Sequence, residues 1–262
     1  MTERLAKFIA NSGIASRRGS EDLILSGAVS VNGVVVNTPV FFVNDGDRVC
    51  VNGKEIKQNE EIKLYKFHKP LNTMTTTDDP QHRKTIYDVL GDKYKNLKYV
   101  GRLDYKTTGL LLMTNNGELA RQLSLPQNHI SRTYIATVKS VDDKKLALAR
   151  RGVEIDGIKY RPMKIDVSEK NKLRVTVEEG KKNEIRIVLR YVGSPVSELH
   201  RISYGEILLG DLGVGKISEI DRKTLDLILN KLLSSKQQGK GVSYEKSKKY
   251  KKNQGNNSKT SG

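Results

Sequence analysis

Apolar positions along this chain change their spacing several times, and each change marks a different element. In RLAKFIANSG, Leu5, Phe8 and Ile9 fall on one helical face while Arg4 and Lys7 fall on another, which predicts a short amphipathic helix ended by Gly13. Ser16 is placed to cap a second helix, SRRGSEDLILSG, whose Leu23 and Ile24, with Ile14 ahead of them, can meet the first. Gly27 breaks that helix. VSVNGVVV then alternates around Asn32-Gly33, a type I′ hairpin signal, and a second Asn-Gly pair, Asn52-Gly53, follows the acidic turn Asp45-Gly46-Asp47. Residues Gln58 to Lys63 are charged and lack an apolar period, so they read as a linker.

Beyond the linker strands dominate, with two or three helices among them. IKLYKFHKP is a strand stopped by Pro70, and TIYDVL is a short helix after the loop TTTDDPQHRK. GLLLMTN is a buried strand, NNG a turn, and GELARQLSLP a helix ended by Pro126. RTYIATVKS alternates as a strand, LALARRG is a short helix, and KLRVTVEEG and EIRIVLRYVG continue as strands. The class is α+β with a mainly antiparallel sheet and flanking helices. The organisation is a small N-terminal module over residues 1–60, a larger domain over 64–233, and a tail over 234–262.

Composition narrows the partners. The formal charge is +17 with a pI near 9.7, mean hydropathy is −0.54, and hydrophobic residues make up 36%. Such a chain meets nucleic acid or an anionic membrane surface. No run of about 18 apolar residues is present to span a bilayer. The N-terminus carries an acid and lacks the features of a secretory leader, so a cytoplasmic protein is expected. The single Cys50 reads as a filler in a strand, and the four histidines lack metal-ligand spacing, so no metal is expected. Eight lysines and one glutamate lie between Ser235 and Gly262, in a polar stretch without apolar period that is expected to be disordered. Residues 1–60 are neutral in sum, yet Arg4, Lys7, Arg17 and Arg18 gather at the helix-helix corner, where they can contact phosphates.

No nucleophile elbow, phosphate loop or dinucleotide fingerprint is present; GDLGVGK lacks the Ser or Thr a phosphate loop requires after its Lys. What remains is GRLDYKTTGLL. Gly101 and Gly109 bracket a loop that leads into the buried strand, and Asp104 sits within it two residues after Arg102. In an extended segment those two side chains share a side, and a carboxylate near a guanidinium stays ionised and nucleophilic. On spacing alone a turn acid beside an arginine is the commoner reading.

Two resemblances bear on that choice. R-L-x-K-F-x-A-x-x-G-x-A-S-R-R followed by S-G-x-V-x-V-N-G resembles the S4 RNA-binding domain, which implies an αL-like fold for residues 1–60. G-R-L-D-x-x-T-T-G-L-L-L-x-T-N-x-G-E-L-A resembles the signature of the S4-fused, RsuA-like pseudouridine synthases acting on ribosomal RNA. Lys69-Pro70, D-P-x-x-R-x-T-I-x-D-V-L, R-T-Y at Arg132 to Tyr134, E-G-K-x-N-E-I-R from Glu179, and the segments between Val196 and Leu208 follow in the family's order. The resemblance implies Asp104 as nucleophile at uracil C6 or ribose C1′ of an extruded uridine, without cofactor or metal. It implies Tyr134 packed on the uracil face, Arg186 paired with the carboxylate, and Leu199 beneath the base. Arg102 is the candidate for filling the vacated stack or gripping a phosphate. The family's Gly after K-P-x is Asn72 here, the non-Gly residue best suited to positive φ. The pattern is most similar to the large-subunit branch, so a monomer acting on 23S ribosomal RNA or a precursor particle is expected. The alternatives are a small-subunit 16S enzyme and a non-catalytic RNA-binding assembly factor.

Overall fold

The protein is described by a computed structural model over residues 2–57 and 61–234. Part of the expected linker, 58–60, and the lysine-rich tail, 235–262, lie outside the described residues. The chain up to Glu219 forms one compact unit; from Ile220 a second begins, which holds a helix over 222–234 with Asp221 accepting from the Thr224 amide at 2.9 Å.

Residues 2–57 hold the expected order of two helices followed by short strands. Strand β1 (Glu3–Arg4) leads into helix α1 (Leu5–Asn11), and α2 (Arg17–Leu25) follows with the Ser16 hydroxyl accepting from the Gly19 amide. Strands β2 (Val29–Val31), β3 (Val34–Val35), β4 (Phe42–Val43), β5 (Val49–Val51) and β6 (Lys54–Glu55) complete the module. A four-stranded sheet runs β3-β2-β5-β6, and β1 pairs with β4. Asn32 and Gly33 both take positive φ, 52° and 84°, as a type I′ turn demands, and Asn52 and Gly53 repeat the arrangement. Leu5, Ile9, Ile24, Val29 and Val49 are buried together as its core. One expectation changes: Arg4 is not on the helix with Lys7. Its backbone is extended because it pairs with Phe42, and its guanidinium lies 6.0 Å from the Phe42 ring.

The larger part is built on a nine-stranded sheet. In chain order its elements are β7 (Leu64–Lys69), α3 (Ile86–Leu90), β8 (Lys98–Val100), β9 (Thr107–Thr114), α4 (Gly117–Ser124), β10 (Arg132–Val138), α5 (Asp143–Arg151), β11 (Val153–Ile155), β12 (Ile158–Tyr160), β13 (Lys164–Glu169), β14 (Lys172–Val177), α6 (Glu184–Tyr191), β15 (Val196–Tyr204), β16 (Ile207–Leu208) and β17 (Ile217–Glu219). The order across the sheet is β13-β14-β10-β15-β9-β7-β17, with β8 against β9 and β16 against β15; β11 and β12 form a separate hairpin. Residues of α3, α5 and α6 bury Ile86, Leu146, Ala149, Ile185, Val188 and Leu189 in one core with Phe67, Leu111, Met113 and Val175.

One element departs from the sequence expectation. EIRIVLRY is the helix α6, not a strand. Its β-branched residues suit either form, but Ile185, Val188 and Leu189 at i, i+3 and i+4 are the buried set, and helical spacing is the only one that puts all three on one face. The sheet is mainly antiparallel, as expected, with one parallel pair among the described strands: β15 runs parallel to β9, pairing Leu199 with Thr107 and Arg201 with Gly109. That pairing brings the backbones so close that a Cβ on Gly109 would sit 2.3 Å from the Arg201 carbonyl oxygen and 2.7 Å from its amide nitrogen. Gly109 also holds φ of +101°, so glycine alone satisfies both constraints. Gly109→Ala is therefore expected to destabilise the protein by about 4 kcal/mol or to prevent folding. Urea denaturation measures this, and a loss under about 1 kcal/mol would mean the two strands do not approach as described.

Candidate active site

The loop between β8 and β9 carries Asp104, and its backbone is held carbonyl by carbonyl. Thr75 Oγ1 donates to the Leu103 oxygen at 2.8 Å, and the Thr107 amide to the Asp104 oxygen at 2.9 Å. The Asn72 amide donates to the Tyr105 oxygen at 3.0 Å, Arg186 Nη2 to the Lys106 oxygen at 2.7 Å, and Lys69 Nζ to the Thr107 oxygen at 2.9 Å. Five consecutive acceptors thus have donors, four of them from elements outside the loop. Asn72 reaches its place with φ of 52°, the left-handed conformation that Asn adopts most readily among non-glycine residues. At the other end of the loop the Gly101 amide donates to Ser124 Oγ of α4 at 2.8 Å.

Asp104 opens into a cleft of about 270 Å³ that is also lined by Arg102, Thr107, Tyr134, Leu199 and Glu184. Four of the expected residues (Asp104, Arg102, Tyr134 and Leu199) therefore meet in one place. Asp104 and Arg102 are exposed, whereas Tyr134 and Leu199 are buried and form the wall from adjacent strands, Ala136 being the partner of Leu199 across the ladder. Arg186 belongs to an adjoining groove that shares Asp104 and Arg102. Its expected direct pairing with the carboxylate is not formed. The guanidinium binds the Lys106 and Val196 carbonyls instead, because it approaches from α6 behind the loop. Burial pushes the Arg186 pKa down and the nearby Asp104 charge opposes that shift, so the two groups interact through space. Of the expected RNA contacts in the N-terminal module, Arg17 and Arg18 are exposed at the start of α2, while Lys7 pairs with Glu3 at 3.6 Å.

Three residues at the site had no assigned role in the sequence reading. Lys69 is fully buried, with Nζ bonded among the described residues only to the Pro70 and Thr107 carbonyls. Burial lowers its pKa to about 8, with Asp104 opposing and Arg201 adding to the shift. Arg201, 2% exposed, donates from Nε to the Leu110 carbonyl at 2.6 Å and lies 5.9 and 5.1 Å from the Tyr134 and Tyr204 rings; its Nη2 has no hydrogen-bond partner among the described residues. No carboxylate stands within 4 Å of either cation among the described residues. Two uncompensated positive charges beneath a cleft are costly to bury, and they favour negative charge above them. Glu184 is the third: burial, reinforced by Glu179, raises its pKa to about 7, with Lys181 and Arg132 opposing. Lys-Pro and L-x-R were visible as motif letters, but nothing in their spacing signalled buried cations.

Arg132 organises the far rim of the cleft. Its guanidinium donates to the carbonyls of Glu178 and Glu179 at 3.1 and 3.0 Å and to the Tyr204 hydroxyl at 3.0 Å, which pins the chain entering the Gly180 to Asn183 turn. The R-T-Y triplet therefore supplies a brace and, two residues later, the aromatic wall.

Comparison with known proteins agrees with this geometry. Residues 63–191 match the RNA pseudouridylate synthase family, and residues 3–49 match the S4 domain. The chain is 39% identical over 228 residues to an "Uncharacterized RNA pseudouridine synthase" of Rickettsia felis, covering 86% of this chain and 99% of that protein. It is 34% identical over 225 residues to "Ribosomal large subunit pseudouridine synthase B" of Bacillus subtilis, covering 83% and 92%. A solved structure described as a pseudouridylate synthase superposes with a TM-score of 0.62 at 25% identity, over 85% of this chain and 98% of that one.

The coupling between Asp104 and Lys69 has a direct test. Asp104 opposes the depression of the Lys69 pKa, so Asp104→Asn is expected to move it further below about 8. Titration followed by the lysine ¹³Cε resonance reads this. A Lys69 midpoint that stays put in the variant would mean the two charges do not sense each other.

Proposed function

We propose that this chain, which belongs to the RNA pseudouridine synthases that carry an S4 domain, isomerises a uridine of large-subunit ribosomal RNA with Asp104 as the attacking carboxylate. The observation that carries the reading is the meeting of Asp104, Tyr134, Leu199 and Arg102 in one cleft underlain by Lys69 and Arg201. The large-subunit assignment is supported by the name of the Bacillus subtilis relative.

A uridine stacked in RNA cannot bring its glycosidic bond to a loop carboxylate, so the nucleotide must be extruded. Tyr134 would lie against the uracil face and Leu199 would support it from below. Arg102 would occupy the vacated stack or hold the flanking phosphate. Attack by Asp104 at C6 or at C1′ gives the same balance. The N1–C1′ bond breaks, the base turns, C5 bonds to C1′, the C5 proton leaves, N1 takes a proton, and the carboxylate is released. No electrons enter or leave, so the chemistry requires no redox partner. While the C–N bond is broken the pyrimidine carries negative charge, and the field of Lys69 and Arg201 is oriented to stabilise it from a fixed position. Arg186 then serves by fixing the Lys106 carbonyl and adding positive potential, rather than by holding the carboxylate directly.

In the N-terminal module, Arg17 and Arg18 would contact phosphates, with Arg4 and Lys7 at the rim of that patch. Two cations in the first turn of a helix oppose its dipole, which an RNA phosphate would relieve. Among the described residues no helix is long and apolar enough to cross a membrane. We place the enzyme in the cytoplasm as a monomer acting on 23S RNA or a precursor particle.

Asp104→Asn is expected to abolish one pseudouridine in large-subunit ribosomal RNA while RNA affinity stays within a few-fold. Carbodiimide treatment followed by reverse-transcription mapping, in cells carrying the wild-type or variant chain, detects the mark. Persistence of every mark in the variant would remove Asp104 as nucleophile.

A further inference from the structure

Beside the base cleft runs a second concavity of about 700 Å³, sharing Asp104 and Arg102 with it. Six cations line it (Arg83, Arg102, Lys106, Lys182, Arg186 and Arg190), against a single carboxylate, Asp104. They come from the loop before α3, the loop bearing Asp104, the turn before α6, and α6 itself, where Arg186 and Arg190 stand one helical turn apart. Arg102, Lys106, Lys182 and Arg190 have no hydrogen bond or ion pair through their side chains among the described residues. Elsewhere on the molecule Arg48, Arg150 and Arg161 each hold a carboxylate within 3 Å. Like charges left unneutralised in one groove repel, and such a groove awaits a polyanion.

Arg83 differs from the other five in being aimed by a carboxylate; Arg186 is held by backbone carbonyls. Its Nε and Nη2 donate to Asp79 at 2.9 and 2.7 Å, and its own amide donates to the same carboxylate at 3.0 Å. Asp79 is almost fully buried, and the fork holds its pKa down at about 2, so it remains a fixed anionic anchor throughout the neutral range. The guanidinium lies 5.9 Å from the ring of Tyr105, the residue after Asp104. With one edge of the fork occupied and one face on Tyr105, Nη1 is the nitrogen left to receive a ligand.

We propose that this groove seats the phosphodiester backbone of the RNA strand flanking the extruded nucleotide, with Arg83 and Arg190 as phosphate ligands and Asp79 as the positioning residue that aims Arg83. The proposal rests on the reading of Asp104 as the centre acting on RNA, because the groove opens onto that residue. It adds a phosphate track beside the base cleft, with which it also shares Lys182 and Asn183. A strand held there enters with its register fixed relative to Asp104, and affinity gained along the strand can be used to extrude the base.

The test uses the full chain and fluorescein-labelled decauridylate, with dissociation constants measured from 50 to 300 mM KCl. Arg83→Ala and Arg190→Ala are each expected to weaken binding about 5-fold at low salt and to reduce the slope of log K against log[salt] by about 0.7. Asp79→Asn keeps the Arg83 charge but loses its aim, so affinity should fall about 3-fold with the wild-type slope retained. A brace that only stabilised the loop would change the melting temperature and leave the slope alone in all three variants. Arg190 is exposed and makes no side-chain hydrogen bond or ion pair among the described residues, so Arg190→Ala remains informative if the Asp79 or Arg83 variants fail to fold. Affinities within 2-fold of wild type together with wild-type slopes in Arg83→Ala and Arg190→Ala would overturn the proposal. If those variants respond as expected while ribosomal RNA is never isomerised, the groove stands and the reading of Asp104 fails. Isomerisation with no response in these variants fails the groove alone.

Discussion

The architecture turns on one row across the central sheet: Lys69 of β7, Gly109 of β9, Arg201 of β15 and Tyr134 of β10 stand opposite one another in register. Glycine at the second position removes the side chain that would separate the strands, and the backbones close to a distance no Cβ could survive. On the strands either side of β9 lie Lys69 and Arg201, both withdrawn from water. Neither has a carboxylate partner within 4 Å among the described residues. Burying unneutralised charge costs several kcal/mol per ion even after relaxation. A fold that tolerates this twice in one row concentrates positive potential where the Asp104 loop crosses above it.

The same row organises the loop. Lys69 holds the Thr107 carbonyl and Arg186 the Lys106 carbonyl, while Thr75 holds the Leu103 carbonyl before Asp104 and Asn72 the Tyr105 carbonyl after it. The cations therefore act twice, once as donors that fix backbone and once as sources of field. Fixing groups before substrate arrives removes reorganisation from the reaction step, which is where electrostatic preorganisation derives its effect. The cleft walls, Tyr134 and Leu199, come from strands of that sheet rather than from mobile loops, so base-facing surface and carboxylate are referred to one rigid frame.

Much of this was legible in the residues. Asn32-Gly33, Ser16 and Asn72 announced their conformations through local chemistry, and each adopts the φ or cap expected of it. The motif around Asp104 identified the loop and, through Tyr134 and Leu199, two of the walls. What could not be read depended on distant parts of the chain. EIRIVLRY satisfies strand and helix spacing alike, and only packing against the sheet selects the helix; that choice decides where Arg186 points. The parallel pairing of β9 with β15 joins segments some ninety residues apart, and no local period encodes it. That pairing is what sets Arg201 across β9 from Lys69, so their common place beneath the site was hidden for the same reason. Arg4 looked helical by spacing but is held extended by Phe42, again a long-range contact.

The central claim is that the Asp104 loop is already rigid before any RNA is bound. Backbone ¹⁵N relaxation on the RNA-free protein measures this most directly. Order parameters near 0.85 for the amides of Leu103 to Thr107, equal to those of β9, are the predicted result. Values below about 0.6 across those five residues would contradict it, and would mean that the loop is ordered by the substrate rather than by the sheet.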